Sequence, residues 1–329
     1  MNRRTGRSRL AARLRPIAWS AAVAVVIAGC AGVPAPGPSA SDSPRSASPG
    51  STAPPARPAS PFASLSGYLS RRAGVITAAV YDARTGHTWV YHRGVLEYTA
   101  SIVKVEIMGT ALRQAQAKGR ALPPGEARLV PPMIEASDNQ AATTLLADVG
   151  GAHAVGQFDR VSGMTQTTPS KLALIPGTQL PGWGLTTTTA ADQVHLVRLF
   201  AYHNSTLSDY NRAYGLNFME RVEHGQNWGV GCGVAPGTTV ALKNGWLPFT
   251  SALRLASPGT WQIDSIGWVR GHGRDYVLAV LTRQNPGYAY GIDTIQAISR
   301  RIYAELGPRR AGSRGPGGTS RQARSGYCY

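Results

Sequence analysis

Strand signals stand only at the two ends of the foldable part of this chain, with helical signals between them. That order decides what kind of sheet it can build. Residues 75–82 (VITAAVYD) and 87–92 are short β-rich runs joined by Ala83-Arg84-Thr85-Gly86, a hairpin signal. Three more runs of this kind, 239–242, 261–269 and 275–282, lie near the far end, and an amphipathic helical stretch, 292–306, follows them. In between, a helical stretch opens at Thr99-Ala100-Ser101 and runs to about residue 117, where Pro123-Pro124 breaks the chain. A second helical stretch leads to Ser137-Asp138-Asn139, a third covers 140–147 and stops at Gly150-Gly151, and a fourth lies around 192–202. Residues 160–191, rich in Thr, Pro and Gly, read as loop. The pattern predicts an α+β fold: a five-stranded antiparallel sheet assembled from both chain ends, with an all-helical subdomain inserted between its strands.

The ends of the chain are of another kind. Arg3, Arg4, Arg7, Arg9, Arg13 and Arg15 precede a mostly apolar run, 17–28, that is too short to span a bilayer stably. The run closes on Ile27-Ala28-Gly29-Cys30, which resembles the lipobox of bacterial lipoproteins. Residues 1–29 are therefore expected to be a signal peptide, and Cys30 the lipidated residue. The chain would be exported and lipid-anchored to the outer face of the cell membrane. Residues 30–62 are dominated by Pro, Ser and Ala and hold too little bulky apolar surface to offset the entropy of ordering, so they are expected to form a linker. Residues 307–329, rich in Gly, Arg and Ser, are expected to form a disordered basic tail. The folded domain is thus placed at 63–306, long enough for one substantial core.

A net charge of +17 suggests nucleic-acid binding until the charge is located. Residues 1–62 carry eight Arg against Asp42 alone, and the last 23 residues carry five Arg and no acid. Little excess is left for the domain, so the basic ends point to anionic lipid or wall polymers and no nucleic acid. With Cys30 lipidated, Cys232 and Cys328 remain. Export permits a disulfide between them, but sequence does not show that they are near each other. The seven histidines have no ligand spacing, and no Gly-rich loop joins a strand to a helix, so no metal, nucleotide or other cofactor is expected. Sequence leaves the oligomeric state open.

Of the 34 Lys and Arg residues only four are lysine: Lys104, Lys118, Lys171 and Lys243. Lys104 stands three residues after Ser101 on a predicted helix, so the two side chains share a face one turn apart. A guanidinium cannot act as a base, whereas a buried amine can. Each of Ser-x-x-Lys, Ser-Asp-Asn and Lys-Asn-Gly is common by itself. In this order, they match the signature set of class A β-lactamases and penicillin-binding proteins. From about residue 63 to 306 the chain resembles the β-lactamase/DD-peptidase superfamily, and especially the β-lactamase-like serine hydrolase lipoproteins of high-GC actinobacteria. The segments MIEASDNQAATTLL, WGLTTTTAAD, ALKNGW and DSIGWV support this.

The resemblance implies a serine hydrolase acting on a β-lactam or a peptidoglycan-derived amide. Ser101 would be the acylated nucleophile, set at a helix start that favours the developing alkoxide. Lys104 would be its base, its pKa brought from about 10.4 to nearer 7–8 by burial and the neighbouring Lys243. Ser137 would relay a proton, and Asn139 would hold the Lys104 amine and the substrate amide. Lys243 and Asn244 would meet the substrate carboxylate, and Gly245 would let substrate approach the strand. The N–H groups of Ser101 and Trp246 would form the oxyanion hole. A DD-peptidase, and a penicillin- or muropeptide-binding sensor without turnover, are the alternatives.

Three departures qualify the resemblance. Asn244 stands where Thr or Ser is usual. Only 36 positions separate Ser101 from Ser137, which predicts a more open cleft. No Asp or Glu occurs between Asp159 and Asp192, where class A enzymes carry the glutamate that activates the deacylating water. The expectation is an acyl-enzyme that forms but turns over slowly, with Glu97 as an acid that could substitute.

Overall fold

The computed structural model describes residues 58–251, 253, 257–308 and 328. The expected signal peptide, Cys30, most of the linker and most of the basic tail lie outside these residues. The elements in chain order are α1 (Ser66–Leu69), β1 (Val75–Asp82), β2 (His87–Tyr91), β3 (Glu97–Tyr98), α2 (Val103–Ala117), α3 (Pro124–Glu135), α4 (Asn139–Asp148) and α5 (Gly151–Val161). They continue with β4 (Thr187–Thr188), α6 (Ala190–Ala201), α7 (Asp209–Met219), β5 (Thr239–Pro248), β6 (Trp261–Gly271), β7 (Arg274–Asn285) and α8 (Tyr288–Glu305).

Five strands form one antiparallel sheet in the order β2-β1-β7-β6-β5, so the last strand of the chain sits against the first and closes the sheet, as expected from the two-ended strand pattern. Alternation along the strands divides the core into two layers. Ala79, Ala241, Ile266, Ala279 and Leu281 face α2 to α6, while Ala78, Val80, Leu242, Leu278 and Val280 face α8 and α1. α8 lays Ile292, Ile295, Ile298 and Ile302, all fully buried, along that second face at helical spacing. α2 is buried nearly all round, because helices pack on one side of it and the sheet on the other.

The structure departs from the sequence reading in these places, besides the short β3–β4 ladder, whose second strand lies in the stretch read as loop. α5 has no counterpart in the sequence reading, which ends the helical stretch at Gly150-Gly151 and assigns nothing before residue 160; those glycines, at φ +99° and +68°, make only the bend before the next helix. α7 carries little apolar periodicity, but it is started by Ser208, whose hydroxyl accepts from the Asn211 amide, and is held by tertiary packing of Phe218 and Met219. β5 extends past Leu242 to Pro248, since Lys243, Asn244, Gly245 and Trp246 pair one for one with Ile266, Ser265, Asp264 and Ile263. The fourth departure concerns the linker. Its last described residues are already packed: Phe62 is buried in the α8 layer and the Pro58 carbonyl accepts from Trp89 Nε1.

Cys328, assigned to the tail, is bonded to Cys232 across 96 positions. Closing a loop of this size restricts the unfolded chain and stabilises the fold by about 4–5 kcal/mol on the entropic account. Reduction, or Cys328→Ser, is expected to lower the thermal unfolding midpoint; an unchanged midpoint would show that the bond constrains nothing the fold depends on.

Candidate active site

Three segments distant in sequence meet at one edge of the sheet. The first is the turn before α2. β3 pairs with β4, and the Thr99 amide donates to Thr186 O at 2.8 Å, which carries the chain into a 3₁₀ turn, Ala100–Ile102. Ala100 is held at φ +42°, a conformation a non-glycine residue adopts only when its surroundings impose it. Ser101 follows at the start of the helical run.

The second segment is the junction of α3 and α4. Ser137 also has positive φ, at +59°. Asp138 caps α4, its carboxylate accepting from the Ala141 amide at 2.6 Å, and Asn139 opens the helix. The third is β5, the edge strand. Its alternation sends Lys243 and Gly245 toward the helical layer and Asn244 to the other face.

Lys104 Nζ lies where the three meet. It is 3.1 Å from Ser101 Oγ, 3.0 Å from Ser137 Oγ, 2.5 Å from Ser137 O and 2.9 Å from Asn139 Oδ1. Lys243 Nζ donates to the same Ser137 Oγ at 2.9 Å and to Asn244 O at 3.0 Å. Both lysines are fully buried. Burial brings Lys104 down to about 7, with Asp138 opposing the shift. It carries Lys243 well below its ordinary value, with the Lys104 charge adding to the effect. The repulsion expected between the two amines is thus expressed on Lys243, and desolvation is the main cause for both. Two ammonium groups on one hydroxyl repel, so the pair titrates as a unit.

Gly245 and Asn244 are placed differently from the expectation. A Cβ at Gly245 would stand 2.8 Å from Thr99 O, 2.9 Å from Ser101 N and 3.1 Å from Ile102 N. The close approach that requires glycine is therefore made by the chain's own turn at Ser101. Asn244 does not face the cleft. Both donors of its amide are used on Gln226 O and Trp228 O, at 2.8 and 2.9 Å, on the α8 side. The side chain of Trp246 points the same way and packs edge-on against Tyr288, which leaves only its backbone for the cleft. Glu97, the acid expected as a substitute, is fully buried and bound to Arg283 Nη1 at 2.6 Å.

The acids flanking the loop between α5 and α6 are structural. Asp192 Oδ2 accepts from the Gln166 amide and Thr167 Oγ1, each at 2.8 Å, and Glu106 accepts from Gln193 Nε2 at 2.8 Å. Asp159 is raised to about 7 by burial and by Asp192. The loop presents instead a residue that sequence reading passed over. Trp183 is 6% exposed, and the Lys104 ammonium lies over its ring, 5.0 Å from the centroid. Its segment WGLTTTTAAD was singled out in the sequence, but nothing there shows that an indole reaches a lysine 79 positions earlier.

The profile described as the beta-lactamase enzyme family matches residues 127–306, more than half of the chain. No curated protein matches. Among solved structures, a class A β-lactamase from Mycobacterium abscessus is similar over 75% of this chain and 99% of its own, at 21% identity and a TM-score of 0.61. A representative class A β-lactamase from Bacteroides cellulosilyticus is similar over 75% and 96%, at 16% identity and 0.64. The TLA-1 extended-spectrum β-lactamase is similar over 75% and 98%, at 18% identity and 0.64. At these identities the likeness is one of fold.

Gly245→Ala is expected to destabilise the protein by about 1–3 kcal/mol, because the methyl group meets backbone that has no room to yield. Thermal or denaturant unfolding measures this, and a change below about 0.5 kcal/mol, the range of surface substitutions, would show that the turn and strand separate freely.

Proposed function

The chain belongs to the β-lactamase enzyme family, and from that premise we propose that it is an exported, lipid-anchored serine hydrolase that forms a slowly released acyl-enzyme at Ser101. The observation that carries this reading is the fully buried Lys104 amine, 3.1 Å from Ser101 Oγ and lowered to about 7. A hydroxyl becomes a nucleophile when a base able to lose its proton stands within hydrogen-bond reach. The substrate class is a β-lactam or a peptidoglycan-type amide, whose carbonyl Ser101 Oγ attacks. As the C–O bond forms, the Ser101 proton passes to Lys104 Nζ and the carbonyl oxygen takes up negative charge. The amides of Ser101 and Trp246 receive that charge. Ser137, bonded to both lysines, passes a proton to the leaving nitrogen, and the C–N bond breaks.

Lys243 serves the carboxylate of the substrate. An anionic group arriving beside it favours its charged form, which leaves Lys104 as the neutral partner and so ties activation of the base to occupancy. Asn139 holds the Lys104 amine. Asn244 supports β5 from behind and makes no substrate contact, so carboxylate recognition falls to Lys243 without the neighbouring hydroxyl that is usual in the family. Export is supported by the Cys30 lipobox in the sequence and by the Cys232–Cys328 disulfide, which belongs to an oxidising compartment.

Slow release follows from the loop between α5 and α6. It holds no carboxylate from residue 160 to 191, and general-base catalysis of the kind it lacks contributes on the order of 10²–10⁴-fold. That same lack favours a binding or sensory role as a second reading, in which a long-lived adduct is itself the signal.

Intact-protein mass spectrometry after exposure to a penicillin is expected to show an adduct that persists and is lost in Ser101→Ala. Rapid disappearance with antibiotic consumed would overturn slow release, and an adduct retained in Ser101→Ala would overturn the nucleophile. The rate of acylation is expected to rise with pH through about 7, because only the deprotonated Lys104 accepts a proton. Lys104→Arg, which cannot deprotonate, is expected to lose about 10²–10⁴-fold in acylation rate. A rate that is flat from pH 5.5 to 8.5 would remove Lys104 from the role of base.

A further inference from the structure

Resting on the acyl-enzyme reading, we infer that Trp183 is a positioning residue that keeps water off the Lys104 amine and so sets the lifetime of the Ser101 ester. Its position is fixed from two sides. The 3₁₀ turn that carries it, Gly182–Leu185, runs against the nucleophile turn, where a Cβ at Gly184 would stand 3.7 Å from Ala100 Cα. The indole Nε1 donates to Thr143 Oγ1 at 3.0 Å, and Thr143 Oγ1 donates to the Asn139 carbonyl one turn earlier at 2.9 Å. Asn139 Oδ1 in turn accepts from Lys104 Nζ. One face of α4 therefore holds both the amine and the ring above it, with the ammonium 5.0 Å from the ring centroid.

This arrangement closes the one side of Lys104 that hydrogen-bonding groups leave open. Ser101, Ser137 and Asn139 take its polar contacts, and the fourth side meets an indole, which offers no acceptor for the proton of a water. Behind the ring lies a void of about 10 Å³ lined by Val103, Ile107, Leu146, Val155 and the indole itself, with Ser170 and Thr186 its polar residues. A water needs that much space at least, together with two to four polar partners, and these walls are mostly apolar. No carboxylate, imidazole or amine lines it that could activate a water.

Hydrolysis of the ester through Lys104 is chemically complete once water gains access. The water oxygen attacks the ester carbonyl and its proton passes to neutral Lys104 Nζ. The bond from the carbonyl carbon to Ser101 Oγ then breaks, and Oγ takes the proton from Lys104, leaving a free acid and the serine hydroxyl. Lys243 and Asp138 are the charged groups beside the amine during this transfer. In the native site the ring shields Nζ from water, and enclosure of this kind is how a site protects a reactive intermediate. A ring that only filled the core would, when removed, weaken folding and acylation together. A ring that excludes water would, when removed, speed one step.

The test is a burst experiment on the full chain with a chromogenic cephalosporin. The burst amplitude counts acylated Ser101, and the linear rate divided by that amplitude gives deacylation per acylated site. Trp183→Ala is expected to raise this rate about tenfold, part of what a positioned base supplies, and to make it climb with pH as Lys104 deprotonates. Trp183→Phe, which keeps an aromatic cover, is expected to stay within about twofold of the parent. Thr143→Val, which frees the indole, is expected to fall between the two. A parent burst with deacylation unchanged or slower in Trp183→Ala overturns the inference alone, and so does a gain without pH dependence. The absence of a burst in the parent overturns the acyl-enzyme reading and this inference with it. If Trp183→Ala does not fold, Thr143→Val decides: deacylation equal to the parent overturns the inference.

Discussion

The site depends on one act of desolvation. A lysine amine in water is charged and useless as a base near neutral pH; Lys104, with no exposed surface, is lowered to about 7. A shift of that size, 1.36 kcal/mol per unit, opposes folding unless the amine finds partners, and it finds four polar contacts with Ser101, Ser137 and Asn139. Those contacts also set the geometry, since a buried amine that needs partners holds them in place. The lowered amine and the architecture around it are therefore the same set of contacts seen from two sides.

Holding the amine there requires the sheet and the helical layer to close on each other without a gap. The closest point of that closure is Gly245, where β5 runs against the turn of Ser101 with no space for a methyl group. The two positive-φ residues at the site, Ala100 and Ser137, lie on the two turns that close onto β5. Strain at these turns is sustained by the structure on either side: the β3–β4 ladder and Thr186 for the first, and the Asp138 cap of α4 for the second. Such positions fit a site built for chemistry rather than for packing alone.

The segregation of strand signals was enough to read the antiparallel sheet and its helical insertion, because period-2 and period-3.6 patterns record which faces are buried. α5 and α7 were hidden for opposite reasons. A pair of glycines looked like an ending but served as a bend, and α7 draws its stability from tertiary contacts that leave little periodic trace. Likewise β5 seemed to stop at Leu242, since Lys-Asn-Gly is not a strand-like sequence; pairing with β6 extends it.

At the site, the sequence by itself determined the cast: Ser101 and Lys104 one helical turn apart, Ser137-Asp138-Asn139, and Lys243 before Gly245, each a residue type whose chemistry is local to its own side chain. Only the tertiary structure decided their relations. It turned Asn244 away from the cleft, gave Gly245 to the turn of Ser101, fixed Glu97 against Arg283, bonded Cys232 to Cys328 and laid Trp183 over Lys104. The physical reason is range. Chemical identity and local periodicity are written in neighbouring residues, whereas burial, strand facing and contact between positions far apart in sequence arise only when the layers pack.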